Sequence, residues 1–179
     1  MEYESPLFFA FLFIHLISLI VGFGAVVVID VAGLQWMRGR ISVRRLVSIA
    51  TVTQPVIWLG WGGLVLSGPF LLYAKGFIDG LTWLKIFFVL MIGVNGISLH
   101  HIRNSLHEMA DFADIPRLQK YRIAVVSVVS QVGWWGAIII GFMHRHISSR
   151  WDWPTDPFPL MFGIAVVWLG ALCIGRIKK

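Results

Sequence analysis

Charge is scarce in this 179-residue sequence. Asp, Glu, Lys and Arg make up 13% of it, where a soluble domain carries roughly 25%, so a water-facing surface of ordinary extent is excluded. Cysteine is scarcer still. Cys173 stands alone, which rules out an internal disulfide, and no C-x-x-C or C-x-x-C-H run exists to hold zinc or attach haem covalently. Acidic residues are few, 9 against 15 Lys and Arg, for a net charge of +6. That excess does not point to nucleic acid, because the basic residues sit at the ends of apolar runs, where they act as topology signals. A basic leader is missing too: "MEYESP" is acidic, and the apolar run behind it is too long for a cleaved signal. No internal repeat or composition shift marks a second domain. Residues 1–179 therefore read as one domain, with the amino-terminal run as its first span.

What the sequence has instead is apolar length. Hydrophobic residues make up 58% of it, in continuous runs that match the roughly 20 residues a helix needs to cross hydrocarbon. The alternating short segments of a membrane barrel are absent. The expected fold is all-α, an integral membrane bundle of five transmembrane helices over about 6–29, 47–73, 81–99, 123–143 and 158–174. Under that arrangement Lys75, Lys85, Arg145 and Arg150 lie on one side, and the remaining eleven of the 15 Lys and Arg lie on the other. The bias places the amino terminus outside and the carboxyl terminus in the cytoplasm, as expected for a multi-pass protein of the cell (inner) membrane. "HEMADFADIPRLQK" reads as a short surface helix ending near Pro116. In the outer connection "SSRWDWPTDPFP", Trp151 and Trp153 read as interface anchors.

Helical phase, about 100° per residue, sorts the polar residues within the spans. His15, Ser18, Gly22, Asp30 and Gly33 share a stripe in the first. Thr51, Gln54, Trp58 and Trp61 share one in the second, Lys85, Gly93, Gly96, His100 and Arg103 in the third, and Ser127, Gln131, Trp134 and Trp135 in the fourth. The glycines suit close helix packing, and Gln54, Asn95 and Gln131 suit interhelical hydrogen bonds worth roughly 1 kcal/mol each. His100 and His101 lie near the cytoplasmic boundary, within reach of water.

His15 differs by its depth. It lies roughly 13 Å from the outer end of its helix at the helical rise, where an imidazole needs a partner from the protein. A serine or glutamine could hold it, or it could ligate a metal or handle protons. Lys85, in the first turn of the third span, either reaches up to water or shares an outward-opening pocket with His15, the two differing in depth by roughly 9 Å.

The stretches "HLISLIVGFGA", "GWGGLVLSGPFLL" and "TWLKIFFVLMIGVNGISLHH" resemble a group of small bacterial membrane proteins. The group includes the membrane-type protoporphyrinogen oxidase, the copper-resistance CopD-like domain and uncharacterised families. The shared pattern is a histidine in helix one, a glycine-rich helix two ending in Ser-Gly, and a lysine opening helix three, over about two-thirds of the chain. "VIDVAGLQWMRGR" and the fifth span depart from the oxidase pattern, so the resemblance is to an uncharacterised relative rather than to the oxidase itself. It implies haem b as cofactor, with His15 and Lys85 in the functional positions. In that reading His15 is the iron ligand, Lys85 faces a propionate, and Trp58, Trp61, Trp134, Trp135 and Gln131 line the cofactor. His100, roughly 12 Å from His15 along the membrane normal, is too far to share one iron and would belong to a separate inner metal site.

The expected function is haem-b-linked redox or tetrapyrrole chemistry. Two alternatives stay open: a metal or small-solute permease with Asp30, His15, Gln131 and His100 along its path, and a non-catalytic subunit of a larger membrane complex. Pro55 and Pro69 lie towards opposite ends of the second span, a poor match to the broken midplane helices of transporters. Whether the chain is an enzyme is left undecided. The lipid bilayer is the expected partner, with a second copy of the chain or another membrane protein as further candidates, and no nucleic acid.

Overall fold

The computed structural model describes residues 5–106, 115–146 and 156–177, with side chains for 5–103, 115–143 and 156–171. The elements are five helices, α1 (Pro6–Met37), α2 (Val43–Lys75), α3 (Gly80–Leu106), α4 (Arg117–His146) and α5 (Phe158–Ile177), and no strand occurs among the described residues. The first four are long and apolar enough to cross a membrane, while the apolar stretch of α5, Phe158–Ala171, is shorter. His107, Trp151, Trp153 and most of the expected surface helix before Pro116 lie outside the described residues, as do the side chains of His144, His146 and Cys173.

The helices overrun the expected spans. α1 continues from Ile29 through Asp30 to Met37, α2 begins at Val43 rather than Val47, and α4 begins at Arg117 rather than Ile123. Hydropathy marks where hydrocarbon ends, but backbone hydrogen bonding continues until a residue breaks it. At ~1.5 Å per residue, the 32 residues of α1 reach well beyond a hydrocarbon core roughly 30 Å thick.

Local chemistry accounts for the ends. Ser5 caps α1 by accepting from the Phe8 amide at 3.2 Å, with Pro6 in the first helical position where a missing N–H costs nothing. The chain turns at Gly39, whose φ of +70° suits a residue without Cβ. Ser42 then accepts from the Arg45 amide at 3.3 Å and starts α2. Gly76, at φ +79°, closes α2 by donating to the Leu72 carbonyl. Asp79 opens α3, its Oδ1 accepting from the Thr82 amide at 2.9 Å and the Thr82 hydroxyl at 2.6 Å. α2 runs unbroken through Pro55 and Pro69. Its threonines turn inward on their own helix, Thr51 donating to the Val47 carbonyl at 2.8 Å and Thr53 to that of Ile49 at 3.0 Å. That leaves no hydroxyl unsatisfied in an apolar surrounding.

Two compact units divide the chain, one of Met1–Ile78 with Arg103–Asp114, the other of Asp79–Ile102 with Ile115–Lys179. In the first, α1 and α2 pack antiparallel. Moving along α1, Phe11 stacks on Phe70 at 3.9 Å, His15 meets Ser67, Ser18 meets Gly63 and Gly22 meets Gly60. The contact is tightest at Gly60, where a Cβ would lie 2.5 Å from Gly22 Cα and 2.7 Å from the Ser18 carbonyl oxygen. Backbone there rests on backbone. At Gly63 a Cβ would overlap the Ser18 side chain. The outward faces are apolar: Phe13, Ile20, Leu59 and Leu66 are all exposed, a surface that suits lipid and not water.

In the second unit a seam of Leu81, Leu84, Phe88 and Met91 on α3 packs with Ala137 and Ile140 on α4. Met161, Ile164 and Trp168 of α5, spaced to share one face, pack against it. Here the glycines receive side chains rather than backbone. A Cβ on Gly133 would lie 2.7 Å from Ile92, and one on Gly136 would lie 2.8 Å from the Phe88 ring. The packing role expected of Gly22, Gly60, Gly133 and Gly136 is therefore what the two units show.

Gly60 and Gly62 share a helix but not a surroundings, since a Cβ at Gly62 would have nothing within 4 Å. Gly60→Val is expected to lower stability by about 1–3 kcal/mol by forcing α1 and α2 apart. Gly62→Val, equal in helix propensity, is expected to change it little. Thermal unfolding of the purified protein in detergent checks both, and equal losses would contradict the close approach.

Candidate functional site

The buried polar residues fall into two groups, one in each unit. In the first, His15 is buried between α1 and α2 and its Nδ1 lies 2.8 Å from the Ser67 hydroxyl. Ser67 is itself 1% exposed and donates to the carbonyl of Gly63, one turn back on its own helix, at 2.5 Å. The aromatic pair Phe11–Phe70 lies one turn away towards the start of α1, and the Ser18–Gly63 contact one turn away on the other side. A deep histidine held by a serine was one of the arrangements expected. Which serine was not legible, because Ser67 lies 52 residues along the chain and only the register of the helix pair selects it.

The stripe of His15, Ser18 and Gly22 does face α2. Further along, Asp30 is half-buried and Gly33 has open space around it. On α2 the expected stripe is not the face that meets α1. The residues facing α1 are Gly60, Gly63 and Ser67, while Thr51 is exposed and Gln54, Trp58 and Trp61 are half-buried. Trp58 and Trp61 pack edge-to-face on each other at 5.3 Å. They lie roughly 14 and 9 Å from Ser67 along the helix, so they are not level with His15. Gln54 Oε1 is buried with no hydrogen-bond partner among the described residues, so the interhelical bond expected of it through that atom is not made there.

In the second unit Asn95 takes the central place. It is 1% exposed and its Nδ2 donates to the Val126 carbonyl at 2.8 Å, joining α3 to α4 as expected. Its Oδ1 has no partner among the described residues. The stripe of Lys85, Gly96 and His100 lies to one side of the buried seam, with Gly93 buried, Lys85 and Gly96 half-buried and His100 exposed. Lys85 lies along α4, its Nζ 3.6 Å from the position a Cβ on Gly141 would take. His100 and His101 are both exposed, with rings 6.1 Å apart, and His101 Nδ1 donates to the Ile97 carbonyl at 2.8 Å. No group of three or more His, Cys, Asp or Glu able to hold a metal ion occurs among the described residues.

α4 corrects a second stripe. Trp134 and Trp135 were expected to line a site together, yet Trp134 is fully buried and Trp135 is 49% exposed. Adjacent helical residues point about 100° apart, and the buried face of α4 runs through Val126, Ser130, Gly133, Trp134, Ala137 and Ile140. Gln131 accepts from Trp135 Nε1 at 3.1 Å within its own helix. No protein-family model matches the chain, and no curated protein or solved structure matches it either.

The division between the two tryptophans has a measurable consequence. Trp134→Ala is expected to cost about 3–5 kcal/mol, the range for emptying a buried tryptophan site. Trp135→Ala removes an exposed ring and one intrahelical bond and should cost about 1 kcal/mol or less. Thermal melts of the two variants in detergent make the comparison. Equal losses would put Trp135 in the packed interior as well.

Proposed function

We propose that the chain is a multi-pass protein of the cell (inner) membrane that crosses it five times, amino terminus outside, and holds a ligand at His15. Haem b is the ligand to which the sequence resemblance points. The basic-residue distribution supports the topology. The observation that carries the ligand reading is His15 Nδ1 bonded to a buried serine. Metal-binding histidines are typically oriented in this way through the ring nitrogen that does not bind the metal. When bound, haem would supply one-electron chemistry to the membrane interior.

The fit to haem is partial. The histidine and its serine suit an axial ligand. Trp58 and Trp61 pack on each other at another level of α2. Lys85, in the second unit, keeps the propionate-facing role that the resemblance gives it. The space at Gly22, Gly60 and Gly63 is filled by the helix contact itself. That packing favours a second reading, in which His15 handles protons, since a proton needs no slot between helices. A permease draws no support from α1 and α2, which are continuous from end to end.

A visible spectrum of protein purified from haem-replete cells separates the two readings. The haem reading expects a Soret band that His15→Ala abolishes without loss of membrane insertion. A colourless wild-type protein would overturn it. Topology is tested separately by reporter fusions: Gly39 and Lys179 are expected to report cytoplasm, and Asp79 and Asp156 the outside. A cytoplasmic signal from Asp156 would remove the fifth crossing.

A further inference from the structure

We infer that Ser67 is a positioning residue that sets the tautomer of His15, placing the proton on Nδ1 and the lone pair on Nε2. A hydroxyl has one proton to donate. The Ser67 oxygen lies 2.5 Å from the Gly63 carbonyl oxygen and 3.5 Å from that of Leu64, and neither carbonyl can donate in return. Were the proton elsewhere, two oxygens would face each other lone pair to lone pair at 2.5 Å. The proton therefore points at Gly63, and Ser67 can only accept from His15 Nδ1 at 2.8 Å. In the neutral ring this leaves Nε2 as the basic nitrogen, the form that binds a metal or takes up a proton.

The arrangement is built into the helix pair. Gly22 against Gly60 sets how closely α1 approaches α2, and Ser18 fills the place of a Gly63 side chain, so Ser67 comes level with His15 at bonding distance. The functional weight of the tautomer rests on the reading of His15 as a ligand-holding or proton-handling residue, but its existence does not.

The test is nitrogen NMR of the full-length protein labelled with ¹⁵N-histidine in lipid bilayers, with His15 assigned by its loss in His15→Gln. If haem is present, the protein is reduced and carbon-monoxide-bound so that it is diamagnetic. Wild type is expected to show a protonated Nδ1 and an unprotonated Nε2 at His15. Ser67→Ala should move the proton to Nε2 or mix the two forms, while Ser67→Thr, whose hydroxyl can make the same bond to the i−4 carbonyl, should restore the wild-type pattern. A merely space-filling Ser67 would leave the tautomer unchanged in Ser67→Ala. An Nε2–H form in wild type, or no change in a folded Ser67→Ala, would overturn the inference. If Ser67→Ala does not fold, the wild-type and Ser67→Thr spectra decide it. A colourless protein with the Nδ1–H form would sink the haem reading and leave this one standing.

Discussion

Two helices in hydrocarbon gain nothing by hiding apolar side chains from one another, because lipid tails are as apolar as leucine. What remains is close contact and hydrogen bonding, and in α1–α2 both depend on the approach of Gly22 to Gly60. With backbone resting on backbone at that point, the two helices are held near enough for Phe11 to stack on Phe70 and for His15 to reach Ser67. Separating them by the width of one methyl group would cost more than local packing, since the imidazole would be left without its bond in a setting where no water replaces it.

The second unit solves the same problem with different parts. Gly133 and Gly136 form notches on α4 that receive Ile92 and the Phe88 ring from α3. Asn95 adds a hydrogen bond to a backbone carbonyl that is already engaged along its own helix, using the second lone pair of that oxygen. The first unit thus pairs through backbone contact and the second through side chains set into glycine notches. The first unit buries a titratable side chain, His15, in its seam, and the functional reading centres there.

A buried imidazole bonded to a serine is compatible with chemistry and with simple structural satisfaction, and the relay through Gly63 bears on that choice. A purely structural histidine needs one bond of either sense. Here the serine is already committed as a donor by a carbonyl on its own helix, which imposes a sense on the histidine. The close packing around it limits what a ligand can be. A proton fits as the helices stand, whereas a porphyrin would have to approach from another direction than the α1–α2 seam.

Much of the architecture was legible from residue order alone. Long apolar runs and scarce charge determine helices, because a chain in hydrocarbon must satisfy its backbone locally, although the cap at Ser42 and the turn at Gly39, which set where α1 ends and α2 begins, were not read from them. The depth of His15 and the packing role of the small residues follow from the same local rules. Periodicity, however, gives the angle between residues on a helix and not which angle meets a neighbour. Thr51, Gln54, Trp58 and Trp61 formed a plausible stripe, yet Gly60, Gly63 and Ser67 make the contact. Trp134 and Trp135 looked alike, yet one is buried and the other exposed. Which of the serines holds His15, and in which sense, depends on the register between two helices that brings together residues 52 apart in sequence. That register is decided by where two glycines allow backbones to touch, and only the tertiary structure contains it.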